Sequence, residues 1–136
     1  MKNWPIIILA LLAIVLVVAV TVATAAQNSG AVPKYDPAAE TRFKGTVDQV
    51  VDRECPVSGG MGSHLILNLP DGKTIEVHLA STKFVKTYEL VFKPGDQVEI
   101  LGTKVQFEGK ETIFAREVTR GTDTFAFRDK DGTPIW

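Results

Sequence analysis

The chain has 136 residues, which is enough for one domain with a hydrophobic core but too few for two. Fifteen Lys and Arg face sixteen Asp and Glu, giving a net charge of −1, and the basic residues are spread among the acidic ones. This balance argues against a nucleic-acid-binding protein, which usually shows a basic excess or stripe. Cys55 is the single cysteine, so an intrachain disulfide and a multi-cysteine zinc site are excluded.

Residues 1–26 predict a signal-anchor. After Lys2, an apolar run extends from Pro5 to Ala26, interrupted only by two threonines. At about 1.5 Å per residue, a helix of about 20 residues crosses a hydrocarbon core of about 30 Å. The run is longer than the roughly 7–15 apolar residues of a signal peptide, which favours an uncleaved transmembrane helix. Its apolar residues include Ile6, Leu11, Leu12, Val15 and Val18.

The orientation and the alternative fate of this segment follow from a few residues. Lys2 on the short N-terminal side predicts, by the positive-inside rule, a single-pass inner-membrane protein with its folded part on the periplasmic side. Ala23, Thr24 and Ala25 fit the small-x-small pattern of a cleavage site, so secretion to the periplasm after a cut near Ala25 remains the alternative. Residues 27–41, rich in Asn, Ser, Gly and Pro, are predicted to be a linker.

The remaining residues alternate between apolar stretches and turn signals. The patterns predict strands at 43–51, 64–69, 74–79, 97–107 and 111–118, and a short helix within 81–92. Three glycines indicate a loop over 52–63. This order over residues 42–119 predicts an all-β, five-stranded OB-fold, a Greek-key barrel with one short helix. Residues 120–136 are predicted to form a C-terminal hairpin that turns at Asp131–Gly132.

Three segments carry a family resemblance. FKGTVDQVV, GDQVEILGTKV and ETIFAREVT resemble the first, fourth and fifth strands of exported bacterial OB-fold proteins, the group also labelled stress-tolerance or nucleic-acid-binding OB-fold proteins. The resemblance covers about residues 42–119 and implies a fold rather than an activity. The closing FRDKDGTPIW resembles the tail of a narrower group of exported proteins.

Both histidines lie on one predicted hairpin. The Pro-Asp-Gly segment at 70–72 predicts a three-residue loop, which places His64 opposite His78 and Ile66 opposite Glu76. One face then carries only leucine, isoleucine and valine, and the other carries polar residues and Ile66. We expect the polar face to meet solvent and to be the ligand- or partner-binding face. Its candidate residues are His64, Asn68, Glu76 and His78.

A metal site on this face is an alternative that the sequence does not favour. Directly paired side chains have Cβ atoms about 4.5–5.5 Å apart, close enough for two imidazoles to share a metal ion. Cys55 and Met61 in the predicted loop would complete the ligand set of a blue-copper site, although the usual spacing of copper proteins is absent. The favoured interpretation is polar surface or a protein contact, with no cofactor.

No Ser-His-Asp order, paired-carboxylate motif or nucleotide-binding loop stands out, so we predict no enzyme. The predicted function is a non-catalytic, membrane-anchored, extracytoplasmic OB-fold module: an accessory or structural subunit docking on a membrane protein complex, of a redox or energy-converting kind. The first alternative is a freely exported periplasmic protein that binds a ligand or a metal. The second is a nucleic-acid-binding OB-fold, which the lack of stacking aromatic rings on the predicted face disfavours. Trp136 is expected either to pack back on the domain or to dock into a partner.

Overall fold

The computed structural model describes residues 31–136, which form a β-rich unit with one short α-helix. This confirms the predicted class, but the described chain has six strands rather than five, because a short strand near the C-terminus pairs with its predecessor. The strands are β1 (Thr41–Cys55), β2 (Gly60–Asn68), β3 (Thr74–Ser81), β4 (Gln97–Phe107), β5 (Lys110–Arg120) and β6 (Asp123–Ala126); the helix is α1 (Thr82–Thr87), and a 3-10 helix, Pro37–Ala39, precedes β1.

The strands pair in a closed circuit. β1 pairs antiparallel with both β2 and β4, β2 pairs with β3, and β4 pairs with β5. β3 and β5 then pair in parallel, so β1 to β4 each have two neighbours, and β5, which also pairs with β6, has three. β1 can serve two partners because its register shifts between Val47 and Gln49, where a bulge bends the strand. Its first part pairs with β4 and its second part with β2.

The β2–β3 hairpin has the predicted register. The amide of Leu69 donates to the carbonyl of Lys73 at 2.8 Å, and that of Gly72 donates to the carbonyl of Leu69 at 3.0 Å. Gly72 has φ +83°, the left-handed conformation that a three-residue loop requires. His64 accordingly lies opposite His78. The aliphatic face of the hairpin is buried in the main core; its most deeply buried members are Leu65, Leu67, Val77 and Leu79.

The predicted loop over 52–63 is wrong. β1 continues to Cys55 and β2 begins at Gly60, so only a four-residue turn, 56–59, separates them. The turn is closed by a hydrogen bond from the amide of Ser58 to the carbonyl of Cys55 at 3.1 Å. Gly60 and Gly62, which suggested irregular structure, lie within β2. The turn brings the end of β1 beside the start of β2, which is where the candidate site lies.

The predicted anchor over residues 1–26, including Ile6, Leu11, Leu12, Val15 and Val18, lies outside the described residues. Within residues 31–136, no helix has the length and apolar character needed to cross a membrane.

Candidate functional site

Three neighbouring strands bring Cys55, His64 and His78 together, and we call these residues the Cys-His-His cluster. Their exposed fractions are only 2%, 1% and 0%. The thiol sulfur and one ring nitrogen of each histidine all lie within 4.8 Å of one another. The two imidazole rings are nearly perpendicular, with centroids 4.9 Å apart. The cluster therefore holds two nitrogen donors and one sulfur donor around a common point.

The expectation that this face meets solvent is wrong at this end of the hairpin. His64, Glu76 and His78 are buried, and only Asn68, near the turn, is exposed. The cover comes from distant parts of the chain, because a second apolar cluster forms here. It contains Cys55, Phe107 and Phe114, with Tyr35, Val57 and Val105 packed against it.

The C-terminal residue completes this cover. The indole of Trp136 lies 5.7 Å, centroid to centroid, from the ring of His78 and 4.9 Å from the guanidinium carbon of Arg128. Of the two alternatives for Trp136, the structure shows packing on its own domain.

Glu76 is the buried carboxylate beside His64. Its Oε1 lies 2.7 Å from Nδ1 of His64, without the alignment that a hydrogen bond requires. Arg53 donates to the same oxygen from Nε at 3.0 Å and from Nη2 at 2.7 Å, and Lys110 donates to Oε2. Two cations thus neutralise the carboxylate, and its position holds the Nδ1 edge of His64 away from the cluster.

The imidazole ring of His78 has a hydroxyl group beside one of its nitrogens. Oγ of Ser58, in the turn between β1 and β2, lies 2.8 Å from Nε2 of His78. Within residues 31–136, Nδ1 of His78 and Nε2 of His64 have no hydrogen-bond partner. An unpaired buried polar atom costs about 1–3 kcal/mol, so the cluster holds polar groups that a ligand could satisfy.

Burial sets the charge state of both histidines. It lowers the pKa of His78 to about 3, and the positive charges of His64, when protonated, and Arg128 act in the same direction. Burial also lowers the pKa of His64, against the opposing effect of the Glu76 carboxylate. Both rings are therefore neutral near pH 7, the form in which imidazole donates an electron pair to a metal ion.

Gly62 leaves the space in which these groups meet. A Cβ atom at this position would lie 2.6 Å from Oγ of Ser58, 3.0 Å from Cβ of Cys55 and 3.1 Å from Nε2 of His64. Any side chain at Gly62 would therefore enter the cluster. By contrast, a Cβ at Gly60 would meet nothing within 4 Å.

The other predicted site residues are not brought to the cluster. Met61 is 45% exposed and adjoins Gly62 on the same strand, so its side chain points to the opposite face. The blue-copper set that includes Met61 is therefore not assembled. Asn68 lies at the turn end of the hairpin and donates to Oδ1 of Asp48 at 3.3 Å.

The pair of Ser58 and His78 resembles the nucleophile and base of a hydrolase. In such a site, a third group orients the base. Here the carboxylate of Glu76 lies against His64 instead. Within residues 31–136, Nδ1 of His78 has no hydrogen-bond partner that could orient it.

Four residues of the site escaped sequence reasoning: Arg53, Ser58, Gly62 and Lys110. Three of them lie in the stretch interpreted as a loop, so no strand register related them to the histidines. Once β1 is extended to Cys55, its pairing places Arg53 opposite Gly62 and Cys55 opposite Gly60. Asp52, Arg53 and Glu54 are three consecutive charged residues, so the sequence shows no apolar alternation that would predict the extension.

The fold and this site define a small, closed β-domain with a buried Cys-His-His cluster. A model of the MamS/MamX magnetosome protein family matches residues 39–125, well over half of the chain. The chain belongs to this MamS/MamX magnetosome protein family. No curated protein matches it.

Proposed function

We propose that the protein is a membrane-anchored accessory module of the magnetosome family that works by binding rather than by catalysis. The observation that carries this proposal is the family match over residues 39–125, which begins just before β1 and ends within β6. The match therefore concerns the paired strands as a unit rather than a single motif.

The architecture proposed for this unit is the OB-fold barrel. The closed circuit of pairings, with β3 and β5 parallel and α1 between β3 and β4, supports it. The resemblance to exported OB-fold proteins is in keeping with this topology. In such a barrel no main strand is left with a free edge, which suits a module that is displayed to partners without aggregating.

The proposed location is the membrane, with the domain on its extracytoplasmic side. The apolar run ending at Ala26 and the lone positive charge of Lys2 support this orientation. The family name refers to the magnetosome, and we propose that the membrane is the magnetosome membrane. There the module is proposed to dock on a membrane protein complex as an accessory subunit.

Copurification tests this role. Membranes of the source cell are extracted in a mild detergent, and the full chain is captured through a tag placed after Trp136. We expect a defined set of membrane proteins to accompany it. A monodisperse single chain, or recovery of the chain from the soluble fraction, would contradict the proposal; the latter result would favour the freely exported alternative.

A further inference from the structure

The Cys-His-His cluster carries an inference of its own, independent of the membrane anchor. We infer that Cys55, His64 and His78 bind one thiophilic transition metal ion of the copper and zinc class, with Glu76 and Ser58 orienting the two imidazoles. Three strands that adjoin one another supply the three ligands, so the site is part of the sheet rather than of a mobile loop.

The first supporting observation is the state of the ring nitrogens. Each imidazole has one nitrogen beside an oxygen: Nδ1 of His64 faces Glu76, and Nε2 of His78 faces Ser58. The remaining nitrogen of each ring is buried and has no hydrogen-bond partner among residues 31–136. A bound metal ion satisfies such atoms directly.

The second is the pair of oxygen-bearing groups behind the rings. Metal-binding histidines almost always donate their other ring N–H to a carboxylate, a carbonyl or water, which fixes the tautomer and strengthens the ligand. Glu76 can play this part for His64, because Arg53 and Lys110 hold its carboxylate in place. The carboxylate, histidine and metal then form a familiar triad.

The third is space and access. A metal ion at about 2.0–2.3 Å from each donor brings sulfur and nitrogen within about 3.8 Å of one another, so the widest separation of 4.8 Å must shrink by about 1 Å. Side-chain rotation can supply this movement, since Gly62 leaves the centre free of a Cβ. A surface cavity that Glu54, Cys55 and Pro56 help to line lies next to the cluster.

The donor set determines the class of ion. A thiolate and two neutral imidazoles favour copper and zinc, whereas magnesium, calcium and manganese prefer oxygen ligands. Because Met61 points away, the set lacks the thioether of a blue-copper site. Three protein ligands leave one coordination position for water or for a small exogenous ligand.

The test uses the full chain, purified in detergent and freed of metal with a chelator. Separate samples are equilibrated with Zn(II), with Cu(I) under reducing anaerobic conditions, with Mg(II) and with Mn(II), and retained metal is measured by elemental analysis. We expect one zinc or copper ion per chain and no retained magnesium or manganese. Co(II), as a spectroscopic substitute for zinc, should show a thiolate-to-metal charge-transfer band.

Two glycine variants give a matched comparison. Gly62→Ala keeps every ligand but fills the centre of the cluster, so its zinc affinity should fall at least about tenfold. Gly60→Ala adds the same methyl group two residues away in open space and should bind as the wild type does. Cys55→Ser and His78→Asn should lose the bound ion, and Met61→Leu should retain it.

A measurement on the unaltered protein covers variants that fail to fold. Because Cys55 is the single cysteine, alkylation of the chain reports on that thiol alone. Zn(II) or Cu(I) should slow its alkylation at least about tenfold, and Mg(II) should not. Retention of neither zinc nor copper, unchanged alkylation in the presence of both, or wild-type affinity in folded Cys55→Ser would overturn the inference.

Discussion

Glu76 shows how strongly a single side chain depends on its neighbours here. Glu76 is 6% exposed, and its carboxylate receives hydrogen bonds from Arg53 and Lys110. Burial alone would raise the pKa of Glu76, but these hydrogen bonds and the nearby positive charges outweigh it and hold the pKa below its ordinary value. The residue is therefore ionised at neutral pH, and its single negative charge faces the two cations.

Replacing this carboxylate with an amide should be costly. Glu76→Gln removes the charge that Arg53 and Lys110 face, while keeping the size of the side chain. We expect the free energy of unfolding at pH 7 to fall by about 2 kcal/mol, the usual value of hydrogen bonds to a charged group. Urea denaturation measures the change.

The control for this variant is Glu111→Gln. Glu111 is 56% exposed and pairs with Lys104 at 3.7 Å, so its replacement should change stability by less than about 0.5 kcal/mol. Equal effects of the two substitutions would show that the Glu76 network does not stabilise the fold.

The pairing of His64 with His78 was predictable, but the burial of these residues was not. The turn chemistry of Pro70, Asp71 and Gly72 is local, and it fixes the register of both strands. Burial depends on Phe107, Phe114 and Trp136, which contact the histidine face only after the whole chain has folded. A polar face with strand periodicity predicts exposure to solvent, and the residues that cover this one are too distant in the sequence to be recognised from it.

The segment before β1 is held to the domain by side chains rather than by sheet pairing. The hydroxyl of Tyr35 donates to Oε1 of Glu40 at 2.7 Å, and Arg116 on β5 donates to both oxygens of Glu40. Burial raises the pKa of Glu40, but the hydrogen bonds from Arg116 and Tyr35 more than reverse this and leave the pKa below its ordinary value.

This network predicts a pH-dependent loss of stability. A carboxyl group whose folded-state pKa is depressed stabilises the fold above its ordinary pKa of about 4.3 and loses that effect as the pH falls through the folded-state value. Glu40→Gln should therefore lower the free energy of unfolding by about 1 kcal/mol at pH 7. Its difference from the wild type should shrink as the pH falls below that ordinary value and through the lower folded-state value, which thermal denaturation across this range would reveal. A pH-independent difference would contradict the assignment.

The bulge between β4 and β5 predicts a second effect at the level of strands. The register of β4 against β5 shifts between Leu101 and Gly102. A Cβ atom at Gly102 would collide with the backbone carbonyl of Phe114, which cannot rotate away as a side chain can.

Gly102→Ala should accordingly lower the free energy of unfolding by about 2 kcal/mol or more, because the two strands must separate locally. Gly60→Ala is the control, since its added methyl group meets open space. Chemical denaturation gives the free energy of unfolding of both variants. Equal values would show that the two strands can separate locally at no cost.

For the whole molecule, composition and strand patterning predicted the β-rich class and most strand positions. A hairpin was predicted over residues 120–136, but the pairing of β6 with β5 and the length of β1 were not, for physical reasons. β6 has only four residues, too few for a clear alternation, and it is defined by its pairing with β5. The end of β1 carries Asp52, Arg53 and Glu54. Three consecutive charged residues are not typical of a strand, so the extension is recognised only from its pairing with β2.

The Cys-His-His cluster, too, could be predicted only in part from the sequence. Its two histidines could be paired from sequence, and Cys55 could be suspected. The cysteine could be placed only when the turn at 56–59 set β1 against β2. The role of Gly62 could not be predicted from the sequence. The need for glycine at this position becomes visible only when the neighbouring atoms of Ser58, Cys55 and His64 are placed.

The proposal of an anchored accessory module is tested most directly by native mass spectrometry of the protein extracted from membranes in mild detergent. One spectrum reports the mass of the chain and the subunits bound to it. The account predicts a chain that retains residues 1–26 and travels in a complex with other membrane proteins. A chain cut near Ala25, or an intact chain that carries no other subunit, would contradict it.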